Sequence, residues 1–163
     1  MTFDRPMLAV FCGARPGLSP VHAEDAAAIG RAIARAGAGL AAKEVAHGGL
    51  THLEIVATMH ERKARMAEVA AGFLALAGGF GTLDEFFEIV TWRQLGHHSR
   101  PIVLFNGSGY FDPLLAALRH VADEGFARDG AEYFTVETEP DRAVRRALDG
   151  TRPPMAARWY GLP

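Results

Sequence analysis

A chain of 163 residues with 49% hydrophobic content holds enough apolar material for one domain with a sizeable core. Its formal net charge of -2, from 17 Lys and Arg against 19 Asp and Glu, argues against nonspecific nucleic-acid binding, so an anionic ligand would be drawn by a local site and not by the whole surface. The single Cys12 excludes an intramolecular disulfide framework and fits a reducing, cytoplasmic setting, and the first apolar run, residues 7–12, is too short for a membrane span and reads as a strand.

In chain order, the strand at 7–12 is followed by a helix at 21–36. A strand at 53–57 then leads into a helix at 59–71, whose start carries Thr58 and Glu61 at capping-box spacing. Arg62 and Lys63 lie in the first turn of that helix, where cations oppose the macrodipole by roughly 0.3–1 kcal/mol each. Met59, Met66, Val69 and Ala70 form its apolar stripe; Lys63 falls inside the stripe, Arg62 flanks it and Arg65 points toward water. Two readings stand for the pair: long side chains snorkelling along the core edge, or cations reserved for a ligand.

A buried strand at 72–76 enters the segment Ala77-Gly78-Gly79-Phe80-Gly81-Thr82-Leu83-Asp84-Glu85, followed by a helix at 83–95. Glycines let a backbone approach a ligand closely, and free N–H groups at a helix start attract phosphate. The ordinary alternative is a capped helix, with Thr82 and Glu85 as the capping box. A phosphate on the Gly78–Thr82 turn would be repelled by Asp84 and Glu85, and Arg62 and Lys63 would offset that charge, a guanidinium offering a planar fork of donors. A strand at 101–106, a helix at 113–124, a turn at Asp129-Gly130, a short edge strand at Phe134-Thr135-Val136 and a helix at 141–148 complete an α/β pattern. Residues 150–163, rich in Pro and Arg, read as a C-terminal extension to a domain at 1–149, with Trp159 and Tyr160 free to dock on it or on a partner.

None of the seven histidines pairs on a helix face with a carboxylate or thiolate cluster, so a metal site is not expected. His60 reads as a helix-start residue lining the glycine turn. Phe86, Phe87 and Trp92, with Leu83, Val90 and Leu95, give the helix at 83–95 an apolar surface wider than one stripe, which suggests a subunit interface.

These motifs resemble the Lonely Guy family of cytokinin-activating phosphoribohydrolases, often labelled lysine decarboxylases. The family pattern P-G-G-x-G-T-x-x-E is similar to residues 77–85, with Ala77 in place of the proline, and M-H-E-R-K-A matches Met59 to Ala64. Weaker matches are Phe11-Cys12-Gly13-Ala14, Thr91-Trp92-Arg93-Gln94-Leu95-Gly96 and Gly109-Tyr110-Phe111-Asp112-Pro113-Leu114-Leu115, so the likeness runs over residues 7–127. It implies a Rossmann-like parallel sheet with helices on both faces, a homodimer, no cofactor, and hydrolysis of the N-glycosidic bond of N6-modified adenosine 5′-monophosphates to free base and ribose 5-phosphate. Arg62 and Glu85 take the catalytic positions; Lys63, Gly78, Gly79, Phe80, Gly81, Thr82, Leu83, Asp84 and Thr91 take substrate-binding ones. A nucleotide- or molybdenum-cofactor-binding carrier of the same fold, or an inactive dimeric scaffold, remain the other readings.

The likeness breaks between Leu40 and Lys43, where the family has a second strand, a triple-glycine turn, G-L-M-G, a helix and a third strand, about one βαβ unit or ~30 residues. Either the unit is deleted, with loss of part of the sheet and a wall of the site, or the string joins segments that are not contiguous. An internal gap would leave sheet edges and helix faces uncovered, which favours the second explanation.

Overall fold

The computed structural model describes residues 4–41, 58–128 and 130–150. The expected strand at 53–57, Asp129 of the expected turn, and residues 151–163 with Trp159 and Tyr160 lie outside the described residues.

Five parallel strands, β1 (Met7–Phe11), β2 (Gly39–Ala41), β3 (Ala70–Ala75), β4 (Ile102–Phe105) and β5 (Thr135–Glu137), form one sheet in the order β2-β1-β3-β4-β5. The helices are α1 (Val21–Arg35), α2 (Met59–Val69), α3 (Phe80–Gln94), α4 (Asp112–Asp123) and α5 (Pro140–Leu148). The strand alternation divides the core by face. Leu8, Leu74 and Val103 pack with Ile29 and Ile33 of α1 and Val144 of α5, while Ala9, Phe11, Phe73 and Leu104 pack with Met66 of α2 and Phe86 and Ile89 of α3. Covering both faces explains why the strands read as continuous apolar runs. This is the expected Rossmann-like α/β architecture. Among the described residues no helix is long and apolar enough to cross a membrane.

Local chemistry accounts for the close fits. At Gly72 a Cβ would lie 1.8 Å from the Ala147 carbonyl oxygen, so α5 approaches β3 only because that residue is glycine. Glu137, buried at the end of β5, is held by Arg142 and Arg146 of α5, and Arg35 of α1 bonds Asp141 at 2.7 Å, which seats α5 against α1.

Two expectations are corrected. A second strand exists: Gly39–Ala41 pairs in parallel with Met7–Ala9, short enough that its three residues give no periodic signal. The full sequence also runs directly from Leu40 through Ala41 and Ala42 to Lys43, so the short connection belongs to this sequence.

The order β2-β1-β3-β4-β5 sends the chain from β1 to one side and then, after β2, to the other. The switch point lies between β1 and β3, and open parallel sheets bind ligands outside the carboxyl ends of the strands at such a point. The turn after β3 is the glycine segment.

Candidate active site

Pairing between β1 and β3 continues past both strands into their turns. Leu76 N–H donates to Phe11 O at 2.9 Å and Gly13 N–H to Ala77 O at 3.0 Å, which stitches the two loops across the switch point. At Gly78 the backbone is wedged: an added Cβ would sit 2.1 Å from Thr82 Oγ1 and 2.7 Å from Gly13 N. At Gly79 and Gly81 an added Cβ would meet nothing within 4 Å, so the turn is tight on its inner side and open on its outer side.

Helix α3 begins at Phe80 with Gly79 as N-cap and no side-chain cap. The expected start at Leu83 with a Thr82–Glu85 capping box is therefore wrong. Thr82 lies inside the helix, buried, and packs against Gly78, while Gly81 is helical and not part of the turn. The first N–H groups of an α-helix have no partner within it, and with no capping side chain they are presented at the turn. Phe80, 93% exposed, stands at the mouth.

In α2, Thr58 is the N-cap and accepts from Glu61 N–H at 3.1 Å, as its spacing predicts. Arg65 turns back on its own helix to pair with Glu68 at 2.6 Å instead of standing free in water. Lys63 does not snorkel to solvent. Its side chain is 14% exposed, and Nζ lies 2.6 Å from Asp84 Oδ2 and 3.0 Å from Glu88 Oε2. The hydrogen bond to Asp84, reinforced by Glu88, holds the Lys63 pKa above its ordinary value, so the ammonium is firmly charged. The expectation that a cation from α2 offsets acid at the start of α3 is met, with Asp84 itself as the partner. Arg62 occupies the helix position before Lys63; its side chain, like that of His60, lies outside the described residues.

Of the residues expected to form the site, Gly78, Gly79, Phe80, Gly81, Thr82, Leu83, Asp84 and Glu85 lie along the turn and the first six residues of α3, and Lys63 reaches them from α2. Thr91 does not join them. It is exposed and lies eleven residues along α3 from Phe80, about 16 Å at the helical rise.

Sequence reasoning passed over Tyr110, whose hydroxyl donates to Gly78 O at 2.7 Å, and the stitching role of Gly13. Both fall in segments singled out only for weak likeness to a family pattern. The signal that finds them is topological: in a parallel sheet, loops following neighbouring strands meet at one edge.

At the far end of α3, a shallow hollow of about 450 Å³ is lined by Ala67, Glu68, Trp92, His97, His98 and Arg100, among others. Two of its lining side chains are spent on backbone, Arg100 donating to Glu68 O at 3.1 Å and His98 Nε2 lying 2.9 Å from Ile89 O, and Arg93 beside it donates to Arg100 O at 2.5 Å. We place the candidate site at the glycine turn, because the sheet topology and the helix start converge there.

Comparison with known proteins gives a match over residues 21–147 to the family described as "Possible lysine decarboxylase". The chain is 42% identical over 150 residues to a cytokinin riboside 5′-monophosphate phosphoribohydrolase of Rhodococcoides fascians, covering 72% of this chain and 76% of that protein. It is 33% identical over 178 residues to cytokinin riboside 5′-monophosphate phosphoribohydrolase LOG7 of Arabidopsis thaliana, covering 90% and 82%. A probable enzyme of the same name, LOGL1 of Oryza sativa subsp. japonica, is 32% identical over 174 residues, covering 87% and 78%. In the first of these, 150 aligned positions stand against the roughly 117 residues that make up 72% of 163, so about thirty positions of the relative have no counterpart here. That matches in size the βαβ unit absent after Leu40.

Proposed function

The chain belongs to the "Possible lysine decarboxylase" family, and from that membership we propose that it hydrolyses the N-glycosidic bond of N6-modified adenosine 5′-monophosphates, releasing the free base and ribose 5-phosphate. The observation that carries the reading is the 2.6 Å contact of Lys63 with Asp84, which sets the start of α3 beside the helix bearing Arg62. The two motifs named in the relatives' pattern thus share one face of the sheet, at the switch point.

Each part of the reaction finds a group. The 5′-phosphate binds the outer, open side of the Gly78–Gly81 segment, where N–H groups of α3 are presented. Glu85 steadies the positive charge that develops on the ribose as the C1′–N9 bond lengthens, and orients the water whose oxygen bonds to C1′ while its proton goes to the base. Arg62 supplies donors to the leaving side of the substrate. Lys63, tied to Asp84 and Glu88, cancels acidic charge beside the phosphate and keeps the two helices in register. A carboxylate and a guanidinium perform this hydrolysis without a cofactor.

The protein acts as a homodimer in this reading. Phe87 on α3, Leu95 at its C-cap, Val121 on α4 and Phe126 just beyond α4 leave apolar area in water, and α4 buries none of its residues fully. A second copy is the partner that would cover it, as the breadth of the α3 apolar face suggests. The proposed setting is the cytoplasm, and residues 1–149 are the catalytic domain.

Incubation with N6-isopentenyl-AMP, AMP and N6-isopentenyladenosine, followed by chromatography, tests the proposal. Free base should appear from the first nucleotide and not from the riboside, which lacks the phosphate. Binding without release would leave a nucleotide carrier in place of an enzyme.

A further inference from the structure

The turn between β4 and α4 is built more rigidly than a connection needs. Asn106, buried at the end of β4, donates from Nδ2 to Asp112 Oδ1 at 2.7 Å and accepts Phe111 N–H at its Oδ1 at 2.8 Å, so one side chain clamps both arms of the turn. Gly109, at φ +73°, takes the left-handed position that closes it. The residue presented is Tyr110. Its ring packs edge-on against Phe111 at 4.9 Å and His22 at 5.2 Å, and its hydroxyl donates to Gly78 O at 2.7 Å.

The peptide joining Gly78 to Gly79 has glycine on both sides, so few steric barriers resist its rotation. The peptide unit is planar and trans, so the direction of the Gly78 C=O fixes the Gly79 N–H in the opposite direction. The wedge of Thr82 and Gly13 restrains the Gly78 Cα, and the Gly13–Ala77 bond restrains the peptide before it. Among the contacts described, the Tyr110 hydroxyl is the one that holds the Gly78 carbonyl itself.

We propose that Tyr110 is a positioning residue for the anion site: it locks the Gly78–Gly79 peptide so that the Gly79 N–H joins the first-turn amides of α3 in holding the substrate phosphate. It acts through the turn and does not touch the reacting bond. The inference rests on the proposed function for the identity of the anion.

The test compares wild type, Tyr110→Phe and Tyr110→Ala. KM and kcat are measured with N6-isopentenyl-AMP, ribose 5-phosphate binding by calorimetry, and the melting temperature for each. Loss of one hydrogen bond should raise KM and weaken ribose 5-phosphate binding about fivefold to tenfold in Tyr110→Phe, with kcat within about twofold and an unchanged melting temperature. Tyr110→Ala should show the same ligand loss with a lower melting temperature, because the ring contacts go too. The inference is overturned if Tyr110→Phe binds like wild type, if only Tyr110→Ala loses affinity, or if the wild type itself does not bind ribose 5-phosphate. If the wild type binds ribose 5-phosphate but releases no base, and Tyr110→Phe weakens that binding, the enzymatic reading fails and the positioning role stands.

Discussion

The two ends of α3 are built on opposite principles. At its C-terminal end Arg93 is buried, yet it and its polar neighbours His98 and Arg100 are spent on backbone carbonyls, which are structural bonds. At its N-terminal end the helix has no capping side chain, Phe80 stands in water, and the glycine turn is open on its outer side. The C-terminal hollow thus lies among groups already spent on structure, and the open glycine turn is the end proposed to bind.

The sharpest way to break this comparison is to change the acid at the binding end. Glu85→Gln keeps shape and helix propensity. Because Glu85 is not a capping residue here, it should keep the melting temperature while turnover falls by orders of magnitude, about 10²–10⁴, measured by base release. A melting-temperature loss with activity retained would mark Glu85 as structural.

Next come paired glycine substitutions. Gly78→Ala forces a Cβ against Thr82 and Gly13 and should cost about 1–3 kcal/mol in denaturant unfolding, along with most of the activity. Gly81→Ala, inside the helix with nothing near its Cβ, should gain up to about 1 kcal/mol in the same measurement. It should nonetheless weaken nucleotide binding severalfold, since the methyl group would occupy ligand space. A stability loss in Gly81→Ala would contradict the helix start at Phe80.

Lys63→Met leaves Glu88, whose side chain is 22% exposed, without its cation and should cost about 1–2 kcal/mol. The Lys63 pKa is raised on folding, so its contribution is complete below about 10.5 and is lost as pH climbs through the folded value; the variant should show a flatter alkaline limb in melting temperature. The smallest effect belongs to the other end. Burial lowers the His98 pKa, with Arg93 and Arg100 adding to the shift, so its contribution is present above about 6.5 and is lost as pH falls through the folded value. Melting temperatures from pH 7 to 5 should fall less steeply in His98→Gln than in wild type, while turnover at pH 7 stays unchanged.

Most of the order of strands and helices was legible because β1, β3 and β4 are short apolar runs alternating with helical patterns. The strand, glycine turn and helix that carry the candidate site were legible because they follow one another locally. What local pattern misread was the helix start: Thr82 and Glu85 have capping-box spacing, but Thr82 packs on Gly78 from inside the helix, which begins at Phe80 with Gly79 as its N-cap. β2 escaped because three residues carry no period. Tyr110 escaped because its bond to Gly78 spans 32 residues and depends on where two loops of a folded sheet meet.

The most direct measurement is chromatographic quantitation of base and ribose 5-phosphate released from N6-isopentenyl-AMP by wild type and Glu85→Gln at equal concentration. Wild type should release equimolar base and ribose 5-phosphate, and the variant almost none. Release of inorganic phosphate and riboside instead, or equal turnover by both proteins, would contradict it.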